Sequence, residues 1–365
     1  MKLLMPFPYL HIFDRYHAQM HAIAQRIDTF HIAHTAGTPT DEWRKHFTFH
    51  QFMHHPYQPE RVGWRRRVTR LPKAALRLIQ SKRKLAEAYK HADLDVCYSL
   101  ASFWQLSLTA HLAKQQDIPY VARVRGRIFY ELECTQDWLT RRFYTSRLSQ
   151  LLRDADLVIP ISRAARDDLE EQGLPLDNVS APVGLGVDTA EFEDSRVFGF
   201  AHARDADELR LGYAGRLSQE KGIYRLGYLA QQLPHIDFLV AGRRQCPITF
   251  PKNVAYFGRL PHHFMPSFYD LCDAIILPSF TEGIPNTVLE AYAYGKPILA
   301  TKEAFPSELK VFGKVGDIAE FPAFIEQLQH EDLEAQGRKA RRYVKTHFSW
   351  DRFGESMVRL LSTLR

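Results

Sequence analysis

Apolar residues along this chain come in short runs that mostly do not alternate with polar ones. KLLM (2–5), TFHIAH (29–34), LDVCYS (94–99), PYVARV (119–124) and DLVIPI (156–161) recur through the first half. A second series follows with LRLGYAG (209–215), IDFLVAG (236–242), VAYFG (254–258), DAIILP (273–278) and PILAT (297–301). A strand covered on both faces gives such a run, whereas a half-solvated strand alternates. The intervening stretches are long enough for crossover helices. The pattern predicts an α/β architecture with two doubly wound parallel sheets. Residues 188–208, DTAEFEDSRVFGFAHARDADE, are charge-rich and lack a period, so the linker is expected there. At the end of the chain, Phe353, Met357, Leu360, Leu361 and Leu364 stand at helical spacing behind Ser349, a candidate cap. They predict an amphipathic helix that must dock on something.

Composition narrows this picture. A length of 365 residues suits about two domains. Hydrophobic residues at 45% and charged residues at 25% fit an ordinary globular protein. Cys97, Cys134, Cys246 and Cys272 show no metal or disulfide spacing and fit reduced thiols. The opening MKLLMPFPYL is too short and proline-broken for a signal peptide and reads as a buried first strand. No run approaches the roughly 18 apolar residues of a membrane span, so a cytoplasmic location is expected. The net charge of +6 is concentrated. Between Arg61 and Lys90 stand 11 Lys and Arg against Glu87 alone, interleaved with Trp64, Val68, Leu71, Leu76, Leu78 and Ile79. Such a block reads as a solvated basic face, a nucleic-acid surface, or an amphipathic element lying on anionic lipid.

Open α/β sheets bind ligands beyond the carboxyl ends of their strands. Two motifs stand at such ends. In YAGRLSQEKGI (213–223), Gly215 permits close approach to the backbone, Arg216 supplies a fixed fork of donors and Lys221 a mobile point charge. That set suits a diphosphate, or else makes a surface turn with two solvated cations. In TEGIPNTVLEAYAYGKP (281–297), a helix is predicted to begin near Asn286 or Thr287 and to stop at Gly295, and its free N–H groups make an anion site. Glu282 precedes that helix in a glycine–proline loop and is placed to accept from sugar hydroxyls or to stabilise developing positive charge. Glu290 is either a ligand group or the closing half of a Thr287-x-x-Glu290 capping box.

Glu282 and Glu290, with seven residues between them, resemble the E-x7-E signature of the retaining glycosyltransferases of family 4. GRLSQEKG, FGRLPHHFMPSFYDLCDAIILPS, LGVDTAEF and RRYVKTHFSWDRF resemble further segments of that family, in the family's order, over residues 90 to 365. The resemblance implies a GT-B fold: two Rossmann-like domains facing across a cleft, with a C-terminal helix crossing back to the first. Residues 1–195 with 347–365 would form the acceptor-binding domain, and 196–346 the domain for the nucleotide sugar. Gly215, Arg216 and Lys221 would hold the donor diphosphate with the backbone of Asn286, Thr287, Val288 and Leu289. Glu290 would bind ribose, Glu282 with Gly283 and Ile284 the donor sugar, and Leu260 would flank the base. Arg216, Lys221, Glu282 and Arg125 are the expected catalytic set. The family uses no metal and no cofactor beyond the nucleoside diphosphate sugar. The implied activity is metal-independent, retaining transfer to a glycan or lipid-linked acceptor, at the inner face of the membrane where the basic block touches it.

Two departures from the family pattern carry consequences. The loop after the first strand, PFPYLHIFDRYHA, lacks the usual glycines. In VARVRGR (121–127), Arg125 stands where the family has histidine. A guanidinium pairs with planar carboxylates, so Arg125 suits a hexuronic acid donor, or instead pairs with Glu131 or Glu133 or contacts an anionic acceptor. The string DLD (93–95) opens a predicted strand and is not read as a metal motif. The nine histidines among the first 55 residues lack the carboxylates or cysteines of a metal site and are read as structural or as substrate contacts. Other readings are a GT-B sugar-nucleotide epimerase or hydrolase, which needs no acceptor, and a basic nucleic-acid-binding protein using residues 61–90. A polyanion binder has no use for Glu282 or Glu290.

Overall fold

Both predicted sheets are present, each with six parallel strands. The structure is a computed structural model and describes residues 1–7, 10, 14–35, 37–52, 71–100, 102–187 and 209–364. It divides into an N-terminal unit, Met1–Val183 with Trp350–Arg365, and a second unit, Gly184–Ser349. The predicted linker and a boundary at 195/196 lie outside the described residues.

The N-terminal unit runs β1 (Lys2–Pro6), α1 (Asp14–Ala24), β2 (Thr29–His34), α2 (Asp41–Arg44), β3 (Thr48–Gln51) and α3 (Leu71–Ala88). It continues with β4 (Val96–Ser99), α4 (Phe103–Gln116), β5 (Tyr120–Val124), α5 (Ile128–Thr135), α6 (Trp138–Arg153), β6 (Leu157–Pro160) and α7 (Arg163–Glu171). The sheet order is β3-β2-β1-β4-β5-β6. The first strand is central, which explains why Leu3, Leu4 and Met5 are fully buried. Helix starts are locally encoded: Ser102, Asp137 and Ser162 each accept from a first-turn N–H, of Gln105, Thr140 and Ala165. Each such cap contributes about 1 kcal/mol. Helix α5 lacks a side-chain cap of its own. Asp168 of α7 takes that part, accepting from the N–H of Phe129 at 2.9 Å and of Tyr130 at 3.1 Å.

The terminal helix, α13 (Trp350–Leu361), belongs to this unit. Its Phe353, Met357 and Leu361 enter the core beside Leu3, Met20 and Ile23. Arg123 of β5 is fully buried beneath it. Its guanidinium donates to the Val183 carbonyl at 3.0 Å and lies 4.9 Å from the Phe353 ring.

Histidines that looked structural in sequence do pack in clusters here. The His21 ring stands 4.0 Å from that of His46 and stacks on His17. His31 Nδ1 and His50 Nε2 are 3.3 Å apart across β2 and β3. Burial holds His21 below its ordinary value, helped by His46 and His17 against Glu42. Burial also lowers His31, aided by His50 and Lys2, and lowers His50. Between those lowered values and the ordinary 6.5, the unfolded chain binds more protons than the native one. Stability is therefore full above pH 6.5 and falls as acid is added. The melting temperature, followed from about pH 7.5 to about 5, is expected to drop, and His21→Asn with His31→Asn to flatten that drop. Identical profiles for variant and parent would show that these rings do not carry the effect.

The second unit runs β7 (Arg210–Ala214), α8 (Ile223–Gln232), β8 (Asp237–Ala241), β9 (Val254–Gly258), α9 (Met265–Asp270) and β10 (Ala274–Leu277). It ends with α10 (Asn286–Ala293), β11 (Ile298–Thr301), β12 (Gly313–Gly316), α11 (Phe321–Leu328) and α12 (Leu333–His347). The order is β12-β11-β10-β7-β8-β9. Leu211, Phe238, Val240, Ile276 and Leu299 build its core with the inner faces of α8 and α11. No described helix is long and apolar enough to cross a membrane.

Candidate functional site

Strands β7 and β10 are neighbours where the strand order of the second sheet reverses. Chain leaving two such strands runs off to opposite sides and opens a crevice at their carboxyl ends. Both sequence motifs leave the sheet at this point.

From β7 the chain passes through Gly215 to Lys221 and enters α8 at Gly222. Tyr213 anchors this loop by donating from its hydroxyl to the Arg216 carbonyl at 2.7 Å. Burial, then the carboxylates of Glu282 and Glu220, raise the Tyr213 hydroxyl far above its usual range, so it stays a donor. Arg216 pairs with Glu220 at 3.2 Å, both half-exposed. Burial opposes the charge on Glu220, but the Ser218 hydroxyl, its own N–H, Arg216 and Lys221 outweigh it and hold the carboxyl below the usual range.

From β10 the chain passes through Ser279 and Phe280 to Glu282. Lys221 Nζ lies 2.6 Å from Glu282 Oε2, and Ser279 Oγ donates to Glu282 Oε1 at 2.9 Å. Glu282 is nearly buried, with 9% of its side chain exposed against 21% for Lys221. The two motifs thus meet through one ion pair. Phe280 donates its N–H to the Glu220 carbonyl at 3.0 Å, and its ring lies 3.5 Å from the Arg225 guanidinium. Ser279, Phe280, Arg225 and Tyr213 were not singled out in sequence. Position directly after an apolar run was a usable signal for Ser279, whereas Arg225 and Tyr213 carry none.

Helix α10 starts at Asn286 after Pro285, with no side chain capping it. The capping-box reading of Thr287 and Glu290 is therefore corrected. Thr287 Oγ1 donates instead to the Ala214 carbonyl at 2.9 Å, tying the helix start to the end of β7. Glu290 accepts from the Tyr269 hydroxyl at 2.7 Å. The helix N-terminus keeps the N–H groups of Asn286 and Thr287 without intrahelical acceptors, beside Gly283 and the buried Ile284. Val288 and Leu289 are buried, and their N–H groups turn back to the Pro285 carbonyl.

The ends of β8 and β9 adjoin the same region. Gly242 donates to the Gly258 carbonyl at 2.7 Å, and the Gly215 N–H donates to the Ala241 carbonyl at 2.9 Å. A Cβ on Gly242 would sit 1.6 Å from the Gly215 carbonyl oxygen, so the two loops touch backbone to backbone. Leu260 follows β9 and is half-buried. Arg244 lies over the Tyr256 ring at 5.0 Å.

Arg125 belongs to the N-terminal unit, just past β5. It donates to the Tyr16 hydroxyl at 2.6 Å and stacks on that ring at 4.5 Å. Of the alternative partners, Glu133 pairs with Arg141 at 3.1 Å. In the loop after β1, residues 8, 9 and 11–13 lie outside the described residues. A cavity of 630 Å³ opens between α5, α6 and α7 of the same unit. No residue of the two strand-end motifs lines it, and its Arg127, the last residue of VARVRGR, is bound to Glu171 at 2.9 Å. Among the described residues no three His, Cys, Asp or Glu side chains group as metal ligands.

Both strand-end motifs fall inside one segment matched by comparison with known proteins. Residues 16–183 match the family model described as a glycosyl transferase 4-like domain, and residues 195–331 match that described as glycosyl transferases group 1. The chain belongs to the family 4 glycosyltransferases. A similar family member is TuaC of Bacillus subtilis, a glycosyltransferase assigned to teichuronic acid biosynthesis. It is 25% identical over 257 residues, 66% of this chain and 62% of TuaC. The match thus spans less than two thirds of that relative. Among solved structures, sucrose-phosphate synthase from Thermosynechococcus elongatus superposes with a TM-score of 0.78 at 16% identity, over 99% of this chain and 98% of its own. HepE of Anabaena, solved with UDP, gives 0.70 at 15% identity over the whole of both chains. This likeness establishes the fold of the present family member as GT-B, with its two doubly wound sheets.

Proposed function

We propose that this protein moves a sugar from a nucleoside diphosphate donor to a glycan or lipid-linked acceptor, with retention and without a metal ion. One observation carries the reading: the Lys221–Glu282 pair sits at the carboxyl ends of β7 and β10, beside an uncapped helix start. An anion held there meets Lys221, Arg216 and the first N–H groups of α10, while Glu282 is left to accept from sugar hydroxyls. Glu290, which accepts from Tyr269, would bind the ribose hydroxyls, and Leu260 would flank the base. UDP in HepE and the assignment of TuaC to teichuronic acid biosynthesis support a nucleotide sugar donor and a glycan product.

The chemical step follows from the retained configuration. The bond from the sugar C1 to the diphosphate oxygen breaks, and the acceptor hydroxyl oxygen bonds to C1 on the same face. The hydroxyl proton passes to the departing phosphate oxygen. Arg216, Lys221 and the α10 start stabilise the charge growing on that diphosphate, a contribution of about 3 kcal/mol to the barrier for a single well-placed donor.

A panel of nucleotide sugars and their diphosphates tests this by thermal stabilisation. The matching ligand at about 100 times its Kd adds about 2.7 kcal/mol. Arg216→Ala is expected to weaken that ligand about tenfold or more, the scale of a bond to a charged group. A panel in which no nucleoside diphosphate raises the melting temperature would refute the donor site. The panel includes hexoses beside their uronic acids. Arg125 presents a fixed fork on Tyr16, so a uronic acid is expected to compete better, and Arg125→His to reverse the order. A hexose preference unmoved by Arg125→His would remove Arg125 from donor selection.

A further inference from the structure

Helix α6 buries one face and leaves the other dressed for something besides water. Leu148, Ser149 and Leu152 point inward. On the opposite face Leu139 is 68% and Phe143 50% exposed, and Trp138 at the helix start is 61% exposed. At about 100° per residue, Leu139, Phe143, Ser146 and Gln150 form one outward stripe, with Arg142 on one flank and Arg147 on the other. The helix carries Arg141, Arg142, Arg147 and Arg153 and no acidic residue. Phe103 of α4 supports it from behind, edge-on to Tyr144 at 5.0 Å and to Phe143 at 6.3 Å.

Helix α3 repeats the pattern. Leu76 is 55% and Ile79 63% exposed, among exposed Arg77, Arg83 and Lys84 with Glu87 as the one acid. Both α3 and α6 contact α4. Burial lowers the Lys82 ammonium of α3, and the charge of Arg147 on α6 lowers it further. Among the described residues of the N-terminal unit, the large apolar side chains left exposed are these five: Leu76, Ile79, Trp138, Leu139 and Phe143. They all lie on α3 and α6. Residues 61–70, the rest of the basic block, lie outside the described residues.

We infer that α3 and α6 form one docking surface for an anionic lipid bilayer. Leu76, Ile79, Trp138, Leu139 and Phe143 enter the headgroup boundary, and the flanking arginines and lysines face lipid phosphates. Charge selects this occupant. A second copy would bring two basic faces together, and a polynucleotide leaves the aliphatic groups unused. A bilayer with anionic headgroups takes both the apolar and the cationic parts. The inference deepens the reading of the acceptor as lipid-linked and rests on it.

Co-sedimentation of the whole protein with vesicles tests it. Binding is expected to vesicles of phosphatidylcholine with phosphatidylglycerol and not to phosphatidylcholine alone, and to weaken as salt rises. Leu139→Ser with Phe143→Ser is expected to lower that binding roughly tenfold, with the melting temperature lowered only slightly because Leu139 is exposed and Phe143 half-exposed. The emission of Trp138, taken as the difference between parent and Trp138→Phe, shifts to shorter wavelength on the anionic vesicles. Equal recovery with both vesicle types overturns the inference. So does a double variant that binds like the parent, or duplex DNA bound as tightly as the anionic vesicles and equally by both proteins. Nucleoside diphosphate binding is measured on the same samples without vesicles. Its persistence when vesicle binding fails sinks the docking surface alone, and its failure when vesicle binding persists sinks the donor site alone.

Discussion

Replacing Lys221 with methionine is expected to weaken nucleoside diphosphate binding by about tenfold to about a hundredfold and to lower stability at the same time. The two effects have different origins. Affinity falls because a charge-assisted bond to phosphate is lost, worth about 1.5–3 kcal/mol. Stability falls because Glu282, with 9% of its side chain exposed, loses the ammonium 2.6 Å away and keeps the Ser279 hydroxyl. Removing one partner from a desolvated pair leaves the other charge uncompensated. Glu282→Gln removes that carboxylate charge, so Lys221→Met with Glu282→Gln is expected to recover about 1 kcal/mol of stability relative to Lys221→Met alone, without recovering affinity. Glu282→Gln by itself is expected to depress turnover far more than diphosphate affinity, because its proposed contact is to the sugar. Denaturation curves and diphosphate titrations on the four proteins of this cycle give the answer. Strict additivity in stability would mean that the ion pair carries no coupling, and undiminished affinity in Lys221→Met would remove the diphosphate site.

Gly222→Ala is expected to cost at least about 3 kcal/mol and to abolish diphosphate binding. Gly222 stands between Lys221 and α8 in the left-handed region, at φ +70. A Cβ there would lie 1.9 Å from the Pro278 carbonyl oxygen, at the end of β10. The loop bearing Arg216 and Lys221 must therefore move away from the strand that leads to Glu282. Gly173→Ala is the matched control. Its φ is +72, but its Cβ would meet nothing within 4 Å, so it keeps the backbone penalty without the clash. That penalty is about 1 kcal/mol. Equal melting temperatures for the two alanine variants would show that the close approach at Pro278 is not needed.

Much of this was legible in the chain, and the exceptions share a cause. Ten strands were foretold by apolar runs, because a strand covered on both faces must be apolar at consecutive positions. Two of the four edge strands were not. β3, Thr48–Gln51, and β12, Gly313–Gly316, are short, polar or glycine-bearing, and stand at sheet edges. They are strands because β2 and β11 offer them hydrogen bonds, not because of their composition. The capping-box reading of Glu290 failed for a related reason. Thr287 had a second suitor, the Ala214 carbonyl 73 residues earlier, and Tyr269 claimed the carboxylate. Local spacing lists what a side chain is able to bond, and the fold then chooses among the candidates.

The sequence by itself determined most of the element types, the two-sheet α/β class and the two charged loops that leave β7 and β10. Each of these follows from short-range causes: runs of apolar residues, glycines after strands, and a cluster of charges at a strand end. Only the tertiary structure decided that Lys221 bonds Glu282, 61 residues away, that Asp168 caps α5 from another helix, and that Arg125 leans on Tyr16 rather than on a neighbouring glutamate. These pairings depend on strand order. Placing β10 against β7 brings the two motif loops to one edge, and nothing within either loop specifies that adjacency. It arises from burying the whole set of apolar runs in one sheet, a long-range requirement that leaves no mark at the residues it brings together.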